Sequence, residues 1–310
     1  MDAVRAIADA VLYEGYVLWP YRRSALKNRQ RFTFGGLYPR GWPDDRSELV
    51  TECLLEACGA PVVDVRVRFL QVVRRRLFDV AGAEVDELVA DGERHLAWEE
   101  AIERELGPGP FAIGAGRDEE RLDGGSLVRS WEALCGTLEV ATERLGPSLH
   151  RVRVGVVNAV PWAGEPRAAA LARTLCSAHV VLRAQHGAFV SLTDPPPQLR
   201  EHAAACRNDG VWPVLVGEPG RRDTLLASPI ILEDHPRVAP ESPGDLFDGA
   251  EIDQLLTLNV LALTDEEKAE MRATDPRVRA ILERTEAMTA HDLMRLHGTM
   301  RDLRPLRGAP

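Results

Sequence analysis

The sequence predicts an α+β protein in which a central antiparallel β-sheet, built as a sandwich or an open barrel, lies between an N-terminal helix and a helical C-terminal extension. Three observations predict this class. Apolar residues recur at helical spacing at the start, apolar and charged residues alternate through the middle, and capped helical segments end the chain. Strict alternation is typical of a strand with one face in water, as in antiparallel sheets.

Residues 1–47 are predicted to form a helix and then an irregular segment. Apolar residues follow one another at spacings of three and four as far as Leu12, and the pattern ends before Trp19-Pro20. The residue before a proline is disfavoured in a helix, which predicts the helix end. The following stretch is rich in aromatic and basic residues, and we name residues 12–42 the strap.

Residues 48–162 are predicted to be β-rich. Val63, Val65 and Val67 alternate with charged residues, and residues 49–57 are the expected hairpin partner, across a turn at residues 58–61. A second hairpin is predicted for residues 134–145 and 150–160, around Gly146-Pro147. Residues 95–106 are compatible with a helix or a strand, and residues 107–116 and 121–125 are expected to be loops.

Residues 163–235 are predicted to be a mixed α/β segment on the sheet, and residues 236–310 a linker followed by helices. The mixed segment contains two helical patterns, two strands turning at His186-Gly187 and short apolar strands at 211–217 and 228–232. In the last segment, Thr264 and Glu267 have the spacing of a reciprocal capping box, and Pro276 suits a first helical turn.

Composition excludes several classes of protein. The formal charge of −10 opposes general binding to nucleic acid, which requires many phosphates to be neutralised. The N-terminus lacks the pattern of a signal peptide, and no window of about 20 uncharged apolar residues indicates a membrane span. We therefore expect a cytoplasmic protein, in which the five dispersed cysteines are reduced thiols.

The common catalytic motifs do not appear. The chain has no GxxxxGK[ST], GxSxG or HExxH, and the glycines at 114 and 116 lack the third glycine of a dinucleotide fingerprint. One metal site remains an alternative, because Cys176, His179, His202 and Cys206 have spacings that a Cys2His2 set could use. The competing interpretation makes the cysteines small core residues. No cofactor is predicted.

The strap is the best candidate for a binding site. It holds 8 of the 17 aromatic residues, and six positive charges with no acidic residue lie between Glu14 and Asp44. It could dock an acidic protein, stack on single-stranded nucleic acid, or pack on the sheet while its arginines pair with the chain's own acids. The candidate partner-binding residues are Tyr13, Tyr16, Trp19, Tyr21, Arg22, Arg23, Lys27, Arg29 and Arg31.

Three stretches resemble a bacterial protein family associated with operons for uptake [NiFe] hydrogenases. They are LYEGYVLWPYRRSALKNRQRFTFGG, CRNDGVWPVLVGEPGRRDTLLASPIIL and APESPGDLFDGAEIDQLLTLNVLALTDEEK. The resemblance implies an accessory part in hydrogenase assembly or function, with hydrogenase subunits or maturation proteins as partners, and it assigns no catalytic residue. The sequence therefore predicts a non-catalytic accessory or assembly factor that acts by binding proteins. The alternative is a metal-handling protein or enzyme that uses the Cys/His set.

Overall fold

The computed structural model describes residues 3–29, 31–32, 34–237, 253–289 and 292. It confirms an α+β fold with a large antiparallel sheet, a helix before it and helices after it. The helices are α1 (Ala3–Tyr13), α2 (Arg167–Leu171), α3 (Arg200–Ala204), α4 (Asp253–Leu261), α5 (Asp265–Thr274) and α6 (Pro276–Glu286). Most of the predicted linker, residues 238–252, lies outside the described residues.

Thirteen strands are present in the described residues. They are β1 (Glu48–Asp79), β2 (Glu84–Val85), β3 (Glu87–Ala90), β4 (Glu93–Leu96), β5 (Trp98–Leu106), β6 (Gly109–Ile113), β7 (Gly116–Leu122), β8 (Gly125–Trp131), β9 (Leu134–Arg144), β10 (Leu149–Asn158), β11 (Cys176–Phe189), β12 (Trp212–Leu215) and β13 (Thr224–Ser228). Eleven of them form one sheet, and β3 pairs with β4 separately. Every strand pair in the sheet is antiparallel.

The long strand β1 is the spine of this sheet. Along one edge it pairs first with β10 and then with β5 and β2, and along the other with β11 and then β8. The path continues from β11 through β13 to β12, and from β10 through β9 to β6. Because β12 and β6 do not pair with each other, this path does not close into a ring among the described strands.

The predicted hairpin at residues 58–61 is wrong, because the chain continues straight through as β1. The turn at His186-Gly187 is wrong for the same reason, since β11 also runs on. The two irregularities face each other: between the pairs Ala57–Gly187 and Val62–Gln185, four residues of β1 lie opposite His186. Turn-forming residues here make a bulge, which bends a strand without reversing it.

Other sequence predictions have mixed outcomes. The hairpin of β9 and β10 is confirmed, and residues 98–106 are a strand. The loops predicted at residues 107–116 and 121–125 are wrong in part, because β6 pairs with β9 and β7 pairs with β8 there. The short strand near residue 230 lies earlier, as β13. Gly116 fits under the Trp131 ring, which a side chain there would meet, so this glycine serves packing within a strand.

The two faces of β1 pack against different material. Val65, Val67 and Phe69 join a cluster that consists almost entirely of aliphatic side chains from β9, β10, β11 and β13. We call this the aliphatic face. On the opposite side, Leu70 and Val72 join a cluster with α1, the strap and the C-terminal helices. We call this the strap face. It carries most of the aromatic side chains that are buried in the described part of the chain.

The C-terminal helices begin with the predicted chemistry. Thr264 and Glu267 form the reciprocal capping box at the start of α5. Asp275 accepts from the backbone N–H of Arg277 at the start of α6, where Pro276 occupies the first turn. The buried Arg75 of β1 donates to the carbonyls of Ala273 and Thr274, where a positive charge stabilises a helix end. No helix in the described ranges is long and apolar enough to span a membrane.

Candidate functional site

The strap follows α1 as an irregular segment that the fold holds in one shape. The Asn28 side chain donates to the carbonyls of Leu18 and Arg22 and accepts from the Leu18 N–H. Tyr21 and Phe32 have left-handed backbones, with φ of 59° and 58°. Bulky residues keep this conformation only where surrounding contacts impose it. Both side chains are fully buried, which supplies those contacts.

The aromatic side chains of the strap form its inner layer. Tyr13, Tyr16 and Phe32 are buried and meet edge to face, with ring centroids 5.4 and 5.7 Å apart. Trp19 is half-buried and meets Tyr21 in the same way, at 5.9 Å. Such pairs contribute about 0.5–1.5 kcal/mol beyond the area they bury. The packing interpretation therefore holds for these aromatics.

Two tyrosine hydroxyls connect the strap to other elements. Tyr16 donates to the buried carboxylate of Asp275, at 2.8 Å, and Tyr13 donates to Glu103 on β5, at 2.6 Å. Burial, with the neighbouring Asp275 charge, raises the pKa of Tyr16 well above its ordinary value. Burial, helped by the bond to Glu103, raises the pKa of Tyr13. Both phenols therefore stay protonated and act as donors.

Arg31 lies inside the molecule with only 3% of its surface exposed. Its guanidinium stacks on the Trp98 ring, at 3.7 Å from the centroid, and donates to the backbone carbonyls of Tyr16 and Glu99. No carboxylate lies within 4.0 Å of it in the described part of the chain. Burial lowers its pKa from the ordinary arginine value. The positive charge of Arg31 is therefore stabilised by the aromatic ring and by backbone carbonyls.

The basic residues near the start of the strap lie at its surface. Arg22 pairs with Glu267 of α5, at 2.7 Å, and Arg23 pairs with Asp86, at 2.6 Å. The backbone N–H and the hydroxyl of Ser24 both donate to the carboxylate of Glu270. These contacts connect the strap to α5 and to the β2–β3 region. Lys27 is exposed.

A cavity of about 660 Å³ opens where the strap, the end of β1 and α5 meet. We call it the strap cavity. Trp98, Leu96, Ala97, Ser24 and Asn28 form part of its wall. Four acidic residues also line it: Asp86, Glu87, Glu99 and Glu270. The remaining wall is basic and consists of Arg23, Arg31, Arg74, Arg75, Arg76 and Arg94. All the lining residues together carry a net charge of +2, whereas the net charge of the chain is −10.

The structure gives the predicted partner-binding residues different positions. Tyr13, Tyr16, Tyr21 and Arg31 are buried, so they can support a docking surface but not form its outer layer. Trp19, Arg22 and Arg23 are half-buried and Lys27 is exposed. Arg29 belongs to a short 3-10 turn, and its side chain lies outside the described part. Their partner-binding role stays a prediction.

Sequence reasoning missed most of the cavity wall. The run of three arginines at residues 74–76 was visible as text, yet strand alternation alone assigns such residues to a wetted face. Arg94 and Trp98 could not be identified from the sequence, because Trp98 reaches the strap only through the pairing of β5 with β1, and Arg94 lies on β4, which pairs with β3. Arg23 and Arg31 are the two predicted residues that line this cavity.

The Cys/His set is not assembled. In the described ranges, which include all four residues, no three His, Cys, Asp or Glu side chains form a group that could hold a metal ion. Cys176 is buried in the strap-face cluster, and Cys206 packs in a separate cluster with Leu54. Burial raises the pKa of the Cys176 thiol, which keeps it protonated and inert. The small-core-residue interpretation fits both cysteines.

No protein-family model matches the chain, and the curated proteins contain no match either.

Proposed function

We propose that this protein is a non-catalytic accessory or assembly factor that works in the cytoplasm by binding another protein. The proposed docking surface is the outer side of the strap, around Arg22, Arg23 and Lys27. One observation carries the proposal: a largely irregular segment, with a short 3-10 turn and isolated bridges as its regular structure, is held in a single shape by buried tyrosines and by Asn28. Segments fixed in this way on a rigid scaffold commonly carry binding function.

Preorganisation supports this proposal energetically. A binding segment that is already ordered loses less conformational freedom when its partner arrives. The buried aromatic layer orders the strap, and the basic side chains lie above that layer. Trp19 leaves part of its ring exposed beside them. Aromatic and arginine side chains are the types most enriched among energetically important interface residues.

The partner we propose is an acidic surface of a [NiFe] hydrogenase subunit or of one of its maturation proteins. The positive charge of the strap supports an acidic partner, since complementary potentials speed association and suppress wrong partners. The link to hydrogenases rests on the resemblance of the three sequence stretches. Nucleic acid is the weaker candidate because the chain as a whole is acidic.

The test is affinity capture from cells that express a [NiFe] hydrogenase, with quantitative mass spectrometry as the readout. Wild-type protein should enrich hydrogenase subunits or maturation proteins, and the double variant Arg23→Glu, Lys27→Glu should recover at least about tenfold less of them. Arg31 is left unchanged because a buried charge reversal would disrupt the core. Arg23 pairs with the largely exposed Asp86, so its replacement costs about 0–1 kcal/mol of stability.

The matched control is Arg117→Glu, Arg121→Glu on the exposed edge strand β7, which changes the net charge by the same amount. It should retain wild-type capture. Equal recovery with the strap variant and the wild type would contradict the docking surface. Capture of proteins unrelated to hydrogenases, lost in the strap variant alone, would keep the surface and reject the hydrogenase partner.

A further inference from the structure

The strap cavity is lined by one arginine whose charge is not paired with a carboxylate in the described part of the chain. Five of its six arginines have a carboxylate within 4.0 Å, at distances from 2.6 to 3.8 Å. Arg31 has none in the described part of the chain, and it is the most deeply buried of the strap arginines whose side chains are described. A guanidinium removed from water without a counter-charge is costly, and Arg31 has only carbonyls and rings as compensation.

The same wall has more hydrogen-bond donors than acceptors. The indole N–H of Trp98 and the Nε–H of Arg94 are buried and have no acceptor in the described structure. Buried donors are normally paired, so an unpaired donor calls for a specific explanation. Trp98 and Arg94 both line the cavity that is also lined by Arg31, the arginine without a carboxylate partner. All three features favour a negatively charged acceptor.

At the mouth of the cavity, a carboxylate of the chain itself is already bound by hydrogen-bond donors of the strap. Ser24 binds the two oxygens of the Glu270 carboxylate with its backbone N–H and its hydroxyl, at 2.8 and 3.0 Å. Arg23, Arg74 and Arg94 lie around this mouth, and each keeps part of its side chain exposed. Arginine forks match the paired oxygens of carboxylates and phosphates.

We propose that the strap cavity is a binding site for a small molecule with two or more oxyanion groups, either phosphates or carboxylates. Its volume of about 660 Å³ is within the range of pockets that bind small ligands. One oxyanion faces Arg31 and Trp98 at the inner end, and a second lies among Arg74 and Arg94 nearer the mouth. The cavity shares Arg23 with the proposed docking surface, but its ligand does not depend on the proposed function.

Isothermal titration calorimetry of the full chain with inorganic pyrophosphate and, separately, with citrate tests the site. Ionic strength is held constant with sodium chloride, because non-specific anion binding is screened by salt. At least one of the two probes should bind one-to-one with a dissociation constant below about 1 mM. Binding of pyrophosphate alone identifies a phosphate ligand, and binding of citrate alone identifies a carboxylate ligand. Absence of binding by both overturns the proposal.

Variants test whether the cavity is the place of binding. Arg74→Gln with Arg94→Gln should weaken the probe at least about tenfold, which is the effect expected for two lost charge-assisted contacts. The control Arg117→Gln removes a similarly ion-paired arginine from β7 and should change affinity less than about twofold. Equal weakening in both proteins would show diffuse surface attraction and overturn the assignment.

Nuclear magnetic resonance provides a readout that does not depend on variant stability. The indole N–H signal of Trp98, assigned by its loss in Trp98→Phe, should shift when the bound probe is added to the wild-type protein. Signals from the five other tryptophans should move less. A bound probe that leaves the Trp98 signal in place would locate the ligand elsewhere and refute this site.

Discussion

The aliphatic face and the strap face of β1 bury comparable clusters but by different chemistry. On the aliphatic face, the cluster consists of valine, leucine, alanine and phenylalanine with one cysteine, Cys53. On the strap face, the rings of Tyr16, Phe32 and Trp98 surround Arg31. The buried Asp275 accepts from the Tyr16 hydroxyl. Apolar packing tolerates exchange among side chains of similar volume, whereas a buried polar network depends on each partner being present.

This difference separates two tasks. The aliphatic face contributes hydrophobic stabilisation in proportion to the area that it removes from water. The strap face adds hydrogen bonds between specific side chains that fix an irregular segment, and one of these side chains, Arg31, also lines the strap cavity. A protein that needed only stability would gain little from a buried arginine with no carboxylate beside it. The strap face is therefore where we expect function to constrain the sequence.

The largest expected effect breaks the aliphatic face. Phe69 is fully buried, with 0% of its surface accessible to water, and its ring centroid lies 6.5 Å from that of Phe111. Phe69→Ala should lower the free energy of unfolding by about 3–5 kcal/mol, since it leaves a cavity in close-packed surroundings. Denaturant unfolding measures this loss, and Phe69→Leu, which keeps most of the volume, should cost clearly less. A loss below about 1 kcal/mol would contradict the description of this core.

The second effect depends on pH and concerns His179, which lies opposite Arg68 on the strap side of β1. Burial, with a small contribution from the Arg68 charge, lowers the pKa of His179 to about 4. Its Nδ1 lies 3.0 Å from the Ser177 carbonyl. In the unfolded chain its pKa returns to about 6.5, so unfolding takes up a proton between these values. The stability that depends on neutral His179 is therefore fully present above pH 6.5 and is lost as the pH falls towards 4.

The measurement is the free energy of unfolding against pH, for wild type and His179→Gln. About 2.5 units of pKa difference correspond to about 3 kcal/mol, so the wild type should lose about that much more than the variant between pH 7 and pH 4. Parallel curves for the two proteins would show that His179 takes up its proton equally well in the folded and the unfolded chain, and this would contradict its burial.

The sequence predicted those parts of the molecule that local chemistry determines. The α+β class, the β9–β10 hairpin and the capping box at Thr264 follow from alternation, a Gly-Pro turn and a side-chain-to-backbone bond. Local signals failed at residues 58–61. Glycine and proline there indicate a turn, but pairing with β11 on both sides of the irregularity keeps β1 continuous. Long-range pairing overrode local preference.

The strap cavity could not be predicted for a related reason. Its wall comes from the strap, from β1, from residues 86–99 and from α5, which are brought together only by the register of β5 on β1 and by the packing of the C-terminal helices. A single sequence contains the arginines but not their neighbours. Burial of Arg31 was equally hidden, because an arginine among aromatic residues reads as a surface residue until the Trp98 ring is placed beneath it.

The smallest effect sharpens the contrast between a buried and an exposed bond within the strap itself. Tyr16→Phe removes the hydroxyl that donates to Asp275, a carboxylate with only 2% of its residue exposed. Water cannot replace that donor, so we expect a loss of about 1–3 kcal/mol in the free energy of unfolding. Tyr13→Phe removes the matching hydroxyl from Glu103, whose side chain is 38% exposed. Water can replace this donor, and the expected loss is below about 1 kcal/mol.

Denaturant unfolding of the two variants compares the same chemical change at the two depths. If both lost the same amount, Asp275 would be reached by solvent, and the strap would be held by its aromatic packing alone.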